Sequence, residues 1–282
     1  MKIRIAFSSD NHIDVNRVDP DQALKGQADY LAQHGIQYYF YGGDLFNDFT
    51  QTRHYLDQLQ TLLAGQTRVY YIAGNHDLLQ HAPYHLVETL ADPAYLHNRF
   101  VDLPGTNWRV IGNNGWYDYS FSKYADQPQR VTRWKRVYWL DSVIDLPGDD
   151  REQMDRVLEQ VRAQLMAAQQ DHKRVILLTH FAPRHELLAP KPAAVDTPRR
   201  EYFYQMINAM MGSDRLGRLL EKSGNVYYAC YGHLHGIHPS LTRGLVTYLN
   251  QAVGVRNKRI NEWQQSNFLA QWQSCLRIMD LS

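Results

Sequence analysis

Residues 2–73 alternate between short apolar runs and helical patterns, and that alternation leaves few folds open to the chain. Lys2 to Ser8 (KIRIAFS) predicts a strand. Asp19-Pro20 starts a helix, with Asp19 as N-cap and Pro20 at the first helical position; it runs to about Gln33, and Gly35 closes it. Ile36 to Tyr41 reads as a second strand, ending at Gly42-Gly43. Thr52 to Leu63 reads as a helix with Leu56, Leu59, Leu62 and Leu63 on one face, and Arg68 to Ala73 as a third strand. Strand, helix, strand, helix, strand implies a parallel sheet with right-handed crossovers. Ligands of such sheets sit beyond the carboxyl ends of the strands, so the residues that follow each strand carry the functional question.

The pattern resumes later. Trp108 to Ile111 is strand-like and leads into GNNGWYDYS. Arg151 to Gln170 is a helix whose Met154, Val157, Leu158, Val161 and Leu165 form one stripe. Arg174 to Thr179 is a strand ending at His180, Ser213 caps a helix through Lys222, and Val226 to Tyr231 is a strand ending in GHLHG. Ile237 to Thr242, Leu245 to Asn250 and the tail LRIMDL are further strand candidates. Without internal repeats or linkers, residues 1–282 are expected to form a single domain. A middle segment, about 113–150, and a possible cap, about 183–212, are inserted in it.

Bulk composition excludes several classes. Two cysteines, Cys230 and Cys275, rule out a disulfide scaffold and a thiolate zinc site, and suit a reducing cytoplasm. A net charge of +1 gives no global field toward nucleic acid or membrane. No run approaches the roughly 18 apolar residues of a membrane span, and MKIRIAFSSD lacks the features of a signal peptide.

The chain has 13 histidines, and their placement is informative. Asp10-Asn11-His12 follows the first strand, Gly43-Asp44 the second, and Gly74-Asn75-His76-Asp77 the third; later strands deliver His180, then His233 and His235. Each cluster alone has a plain structural explanation as a turn or a buried histidine. Together they put carboxylates, imidazoles and one amide on one edge of the structure. Asp10 and His12, like His233 and His235, are two apart and can point the same way in an extended segment. Glycine before Asp44, Asn75 and His233 lets the backbone turn sharply. Such a sulfur-free N/O donor set suits manganese, iron, zinc, nickel or cobalt, and is too large for one ion.

The order DNH, GGD, GNHD, TH, GHLH resembles the calcineurin-like metallophosphoesterase superfamily, and GNHD with GHLH resembles its small bacterial phosphoesterase branch. The resemblance implies an α/β fold: a four-layer αββα sandwich, two mixed β-sheets flanked by helices, with a dinuclear metal site at the strand ends. It implies Asp10, His12 and His235 on one divalent ion, Asn75, His180 and His233 on the other, and Asp44 bridging both, with manganese the first choice. It implies hydrolysis of a small phosphomonoester or phosphodiester by in-line attack of a hydroxide held between the ions. His76 would be the catalytic proton donor or phosphate contact. The partner of His76 stays open. Some branches place an aspartate three residues after the bridging one, where this chain has Asn47, and Asp77 or Asp48 are substitutes. The alternatives are a nuclease or cyclic-nucleotide phosphodiesterase, or a non-catalytic scaffold on the same fold. The short stretch after His235 leaves little room for the DNA-capping regions of repair nucleases.

Two segments bear on substrate choice. Ser122 to Trp139 interleaves Lys123, Arg130, Arg133, Lys135 and Arg136 with Tyr124, Trp134, Tyr138 and Trp139. A solvated loop or hairpin with aromatics packed on the core is expected, ahead of a lid that contacts phosphate and stacks on a base. Residues 183–211 follow His180 and are expected to overhang the site, with Arg199-Arg200 and Tyr202-Phe203-Tyr204 as pocket candidates; Trp116, Tyr117 and Asp118 are further ones.

Overall fold

A computed structural model describes residues 2–282. Strands β1 (Ile3–Ser8), β2 (Tyr38–Tyr41) and β3 (Arg68–Tyr71) run parallel, and β10 (Arg277–Leu281) joins β1 antiparallel, giving the order β10-β1-β2-β3. The second sheet has six strands in the order β4-β5-β6-β7-β9-β8. Its parallel centre is β5 (Trp108–Asn113), β6 (Arg174–Thr179), β7 (Val226–Tyr231) and β9 (Val246–Asn250); β4 (Arg99–Asp102) and β8 (Leu241–Arg243) are antiparallel edges.

The period-two alternation of the strands divides the core. Ile5, Phe7 and Phe40 from the first sheet meet Val110, Ile176 and Leu178 from the second in one buried cluster. The alternate residues Ala6, Tyr39 and Tyr41, and Ile111, Leu177 and Ala229, face the other way into a second cluster shared with the helices. Helices α1 (Pro20–Gln33), α2 (Phe49–Leu62) and α8 (Phe268–Cys275) contribute to it beside the first sheet, and α5 (Asp150–Gln170) and α7 (Asp214–Ser223) beside the second. The result is two mixed sheets face to face with helices outside, as the resemblance implies. Among the described residues no helix is long and apolar enough to cross a membrane.

Local signals hold at most ends. Asp19 accepts from the backbone N–H of Asp21 and Gln22, Ser213 caps α7, and all five stripe residues of α5 are buried. Helix α2 starts at Phe49 rather than Thr52, because Asp48 caps it by accepting from Gln51 N–H at 3.0 Å. Strand β8 starts only at Leu241, after Pro239, which cannot donate to a ladder.

The aromatic and basic segment is a helix, not a loop or hairpin: α4 spans Pro128–Tyr138 and buries Val131, Trp134 and Lys135. A lysine in the buried stripe masks the helical period. Its Nζ lies 2.6 Å from Asp150 Oδ1, which makes the burial tolerable. Short α3 (Tyr84–Thr89) and α6 (Pro198–Asn208) complete the helices.

Candidate metal centre

The five strand-end clusters meet at one place. Backbone bonds stitch their loops together: Asp10 N–H donates to Gly43 O (2.8 Å), His12 N–H to Asp44 O (3.1 Å) and Gly232 N–H to His180 O (2.9 Å). His233 N–H donates to Asp10 Oδ1 at 2.9 Å, which ties the loop after β7 to that after β1 across the two sheets. Asp10, His12, Asp44 and His233 all have positive φ (56°, 44°, 61° and 62°). The extended geometry expected for the Asp10/His12 and His233/His235 pairs is therefore corrected: the loops turn in the left-handed region. Four non-glycine residues held there are strain concentrated at one site.

Glycine provides the close approach. A Cβ on Gly74 would collide with Asp44 Oδ1 and the His180 ring, and one on Gly232 with Asp10 Oδ2. These side chains leave a cradle that only glycine tolerates.

Three donor groups form, each with ligand atoms within 4.8 Å of one another: Asp10/His12/His235, Asp44/His180/His233 and His12/Asp44/His76. Asp44 and His12 are each in two of them. Asn75 Oδ1 lies 3.1 Å from His180 Nε2.

The hydrogen-bond partners fix which atoms face inward. His180 Nδ1 donates to Gly42 O (2.9 Å), leaving Nε2 toward Asp44 Oδ2 (3.3 Å) and Asn75 Oδ1, both acceptors. His235 Nδ1 donates to Glu262 Oε2 (2.9 Å), leaving Nε2 toward Asp10 Oδ1 (3.2 Å) and His12 Nε2 (3.1 Å). Asn75 Nδ2 donates to Asp141 Oδ1 (2.8 Å), which turns its oxygen inward. Asp10 Oδ2 and His233 Nε2 are buried with no partner. With each Nδ1 donated away, the inward Nε2 atoms of His180 and His235 meet only acceptors, so a proton sits there in the metal-free protein and a divalent cation can replace it. The residues fit two divalent ions in the two half-sites joined by Asp44.

Electrostatics agree. Burial opposes charge on His235, yet hydrogen bonds to Asp10 and Glu262 raise it to about 10 in the metal-free protein. Burial likewise opposes charge on His180, but the Asp44 carboxylate raises it to about 9. His12 and His233 are pushed well below the usual imidazole range by burial and by neighbouring imidazoles. Burial would raise Asp44, but His180 and His76 hold it well below the usual carboxylate range.

The open question about His76 has an answer. His76 Nδ1 donates to Asn47 Oδ1 at 2.7 Å, and Asn47 N–H is held by Asp14 Oδ2 at 3.0 Å. Asp77 is not the partner. Its Oδ2 accepts from Asp44 N–H (2.7 Å) and Gly74 N–H (2.8 Å), and its Oδ1 from Leu45 N–H (3.1 Å) and Thr52 Oγ1 (2.6 Å). It braces the bridging-ligand loop instead, with its carboxyl raised to about 6 by burial and the Asp44 charge. Asp48 is not the partner either, since Oδ2 meets His81 Nδ1 at 2.8 Å.

Sequence reasoning missed two supports, Asp141 and Glu262. Asp141 sits in the run YWLD, and its second oxygen accepts from Tyr117 OH (3.0 Å) and Trp139 Nε1 (2.9 Å). Neither support belongs to a motif, and only the fold brings them in. The GNNGWYDYS candidates are corrected accordingly. Trp116 Nε1 donates to Asp150 and Asp118 accepts from Ser213 Oγ, while Tyr117 acts through Asp141. Of the run 199–204, Tyr204 lines the cavity over the metal site.

A family model described as calcineurin-like phosphoesterase matches residues 3–236. No curated protein matches the chain. Among solved structures, a dimetal phosphatase from Danio rerio is similar in fold, at 14% identity and a TM-score of 0.55, over 88% of this chain and 86% of that one. A protein of Thermus thermophilus is similar at 15% identity and a TM-score of 0.50, over 90% of each chain.

Proposed function

Since the chain belongs to the calcineurin-like phosphoesterase family, we propose that it cleaves a small-molecule phosphate ester at the centre bridged by Asp44, with His76 facing the leaving oxygen. At the coarser level it is a metal-dependent phosphoester hydrolase. The observation that carries the finer reading is the convergence of ligand atoms from Asp10, His12, Asp44, Asn75, His180, His233 and His235. No ligand of that set is missing, which favours an enzyme over a scaffold.

Two divalent ions in such a site supply Lewis-acid stabilisation of phosphoryl oxygens and acidify the attacking water. Manganese is our first choice, on the mixed N/O donor set. The protein's own contribution is positional. Asp77 fixes the Asp44 loop through four backbone donors, Asp44, Leu45, Phe46 and Gly74. Asp141 and Glu262 fix the orientation of Asn75 and His235. His76 N–H donates to Asp44 Oδ1 (2.8 Å), so the residue is carried on the bridging ligand, and its ring packs edge-on to His12 at 4.7 Å. With Nδ1 spent on Asn47, Nε2 is the ring atom left to give a proton to the departing oxygen or to bind a phosphoryl oxygen.

The test is a substrate panel with Mn²⁺: an aryl phosphomonoester, an aryl phosphodiester, cyclic nucleotides and single-stranded DNA. Turnover is expected on at least one aryl ester. Silence on all four by protein with both ions bound would instead support the scaffold reading.

A further inference from the structure

The cavity over the metal centre is about 560 Å³, the size that holds a drug-sized molecule and far more than a phosphate group. Its floor is metal-site chemistry: Asp44, Asn75, His76, His233 and His235. Its walls come from the two inserted segments and are of opposite character. Tyr138 and Leu140 come from the middle segment; Leu188, Pro190, Tyr204 and Ile207 come from the cap segment. Tyr138, Leu140 and Ile207 are large apolar side chains left 59%, 50% and 39% exposed, and all three line this one cavity. Apolar surface kept open beside a polar centre marks a binding surface.

No lysine or arginine lines the cavity. Three of the cations close to it are engaged with other groups. Lys191 Nζ pairs with Glu201 (3.1 Å), Lys135 with Asp150 (2.6 Å), and Arg130 stacks on Tyr124 (4.3 Å) and Tyr202 (4.9 Å). Among the polar wall groups, Asp141 is committed to Asn75, Glu262 to His235, and His238 to a backbone carbonyl, Leu187 O or His235 O; Asn208 and Tyr204 add an uncharged amide and hydroxyl. A second phosphate would find no lysine or arginine on these walls, and two carboxylates would repel it.

We infer that the alcohol esterified to the phosphate is apolar, an alkyl or aryl group without further charge, seated between Leu140 and Ile207. The inference rests on the phosphoester hydrolase reading above. In the reaction water supplies the new oxygen on phosphorus and the ester P–O bond breaks. The leaving oxygen takes one proton, giving an apolar alcohol and inorganic phosphate. An uncharged alcohol leaves such a wall without an electrostatic tether, so the apolar contacts alone set selectivity among esters.

The test uses the full chain loaded with Mn²⁺ and follows phosphate release from straight-chain alkyl monophosphates, ethyl to octyl, below micelle formation, alongside hexane-1,6-diol bisphosphate. The kcat/KM is expected to rise about fourfold per methylene until the cavity fills, with hexane-1,6-diol bisphosphate below hexyl phosphate. Leu140→Lys combined with Ile207→Lys, both at part-exposed positions, is expected to flatten that rise. Met166→Lys, an exposed apolar residue on α5 away from the cavity, is expected to keep it. A flat wild-type series, or hexane-1,6-diol bisphosphate preferred to hexyl phosphate, overturns the inference while the turnover itself leaves the hydrolase reading intact. No phosphate from any ester, by protein carrying two ions per chain, overturns both.

Discussion

The two halves of the metal centre are supported by different means. In the half made by Asp10, His12 and His235, the outer support is a carboxylate: Glu262 Oε2 accepts a hydrogen bond from His235 Nδ1–H. In the half made by Asn75, His180 and His233, His180 leans on a backbone carbonyl, Gly42 O, while Asn75 is turned inward by Asp141. The ligands arrive on strand ends and their loops; the side-chain supports arrive from elsewhere, Asp141 from the middle segment and Glu262 from beyond the 3–236 family match. Each half thus has one carboxylate support, Glu262 or Asp141, that a single substitution neutralises; only the second also has a backbone carbonyl, which no side-chain substitution removes. The halves should therefore be separable by mutation, although Asp44 joins them.

The largest effect comes from removing what the halves share. Asp44→Ala should drop the ion count, measured by elemental analysis, from two per chain to one or none, and lower turnover on the order of 10⁴-fold. Retention of both ions would break the bridging assignment. Next is the residue belonging to neither half. His76→Ala should keep two ions and lower kcat by about 10³-fold; loss of an ion would make His76 a ligand.

The halves themselves are compared by their supports. Glu262→Gln and Asp141→Asn should each weaken one ion by about 10- to 100-fold in competition with a chelator, and not the same ion. Selective occupancy, read by the spectrum of bound Co²⁺, distinguishes them. If both substitutions perturb the same ion, the division into halves is wrong.

Proton linkage gives a smaller effect. Burial notwithstanding, His235 is raised to about 10 and His180 to about 9 without metal. Both must lose a proton to ligate, so metal affinity rises as pH climbs through 9 to 10, with protons released on binding. For folding of the metal-free protein the sign is opposite. A raised imidazole stabilises fully below its unfolded value of about 6.5 and loses that contribution as pH rises through the folded values. Metal-free melting temperature should therefore fall between pH 7 and pH 10, and added Mn²⁺ should reverse the trend. A metal-free curve that rises over that range would contradict the pairing of His235 with Asp10 and Glu262. The smallest effect is expected from Asn47→Ala, which frees the His76 ring but removes no ligand: about tenfold in kcat with metal content unchanged.

The same division explains what can be read from sequence. Asp10, His12, Asp44, Asn75, His180, His233 and His235 lie within a few residues after strands whose alternation is plain, so period and motif together point to one edge. The partner of His76 is not legible there, because Asn47, Asp48 and Asp77 are all near in sequence and all oxygen acceptors. Only the turns after β2 and β3 decide that Asn47 meets the ring while Asp77 points at backbone N–H groups. Helix α4 is hidden by the Lys135–Asp150 pair, which puts a charge where an apolar residue is expected. Glu262 carries no local signal, since its role depends on a contact with His235 made through the tertiary fold.

The most direct test of the central claim is the leaving-group dependence of His76→Ala. A series of aryl phosphates spanning phenols of low to high pKa would be compared for wild type and variant, both with two ions bound. The account predicts that the variant nearly matches wild type on the most acidic phenols and falls progressively behind as the phenol becomes more basic, because only those oxygens need a proton to depart. A uniform loss across the series would contradict His76 as the group that faces the leaving oxygen.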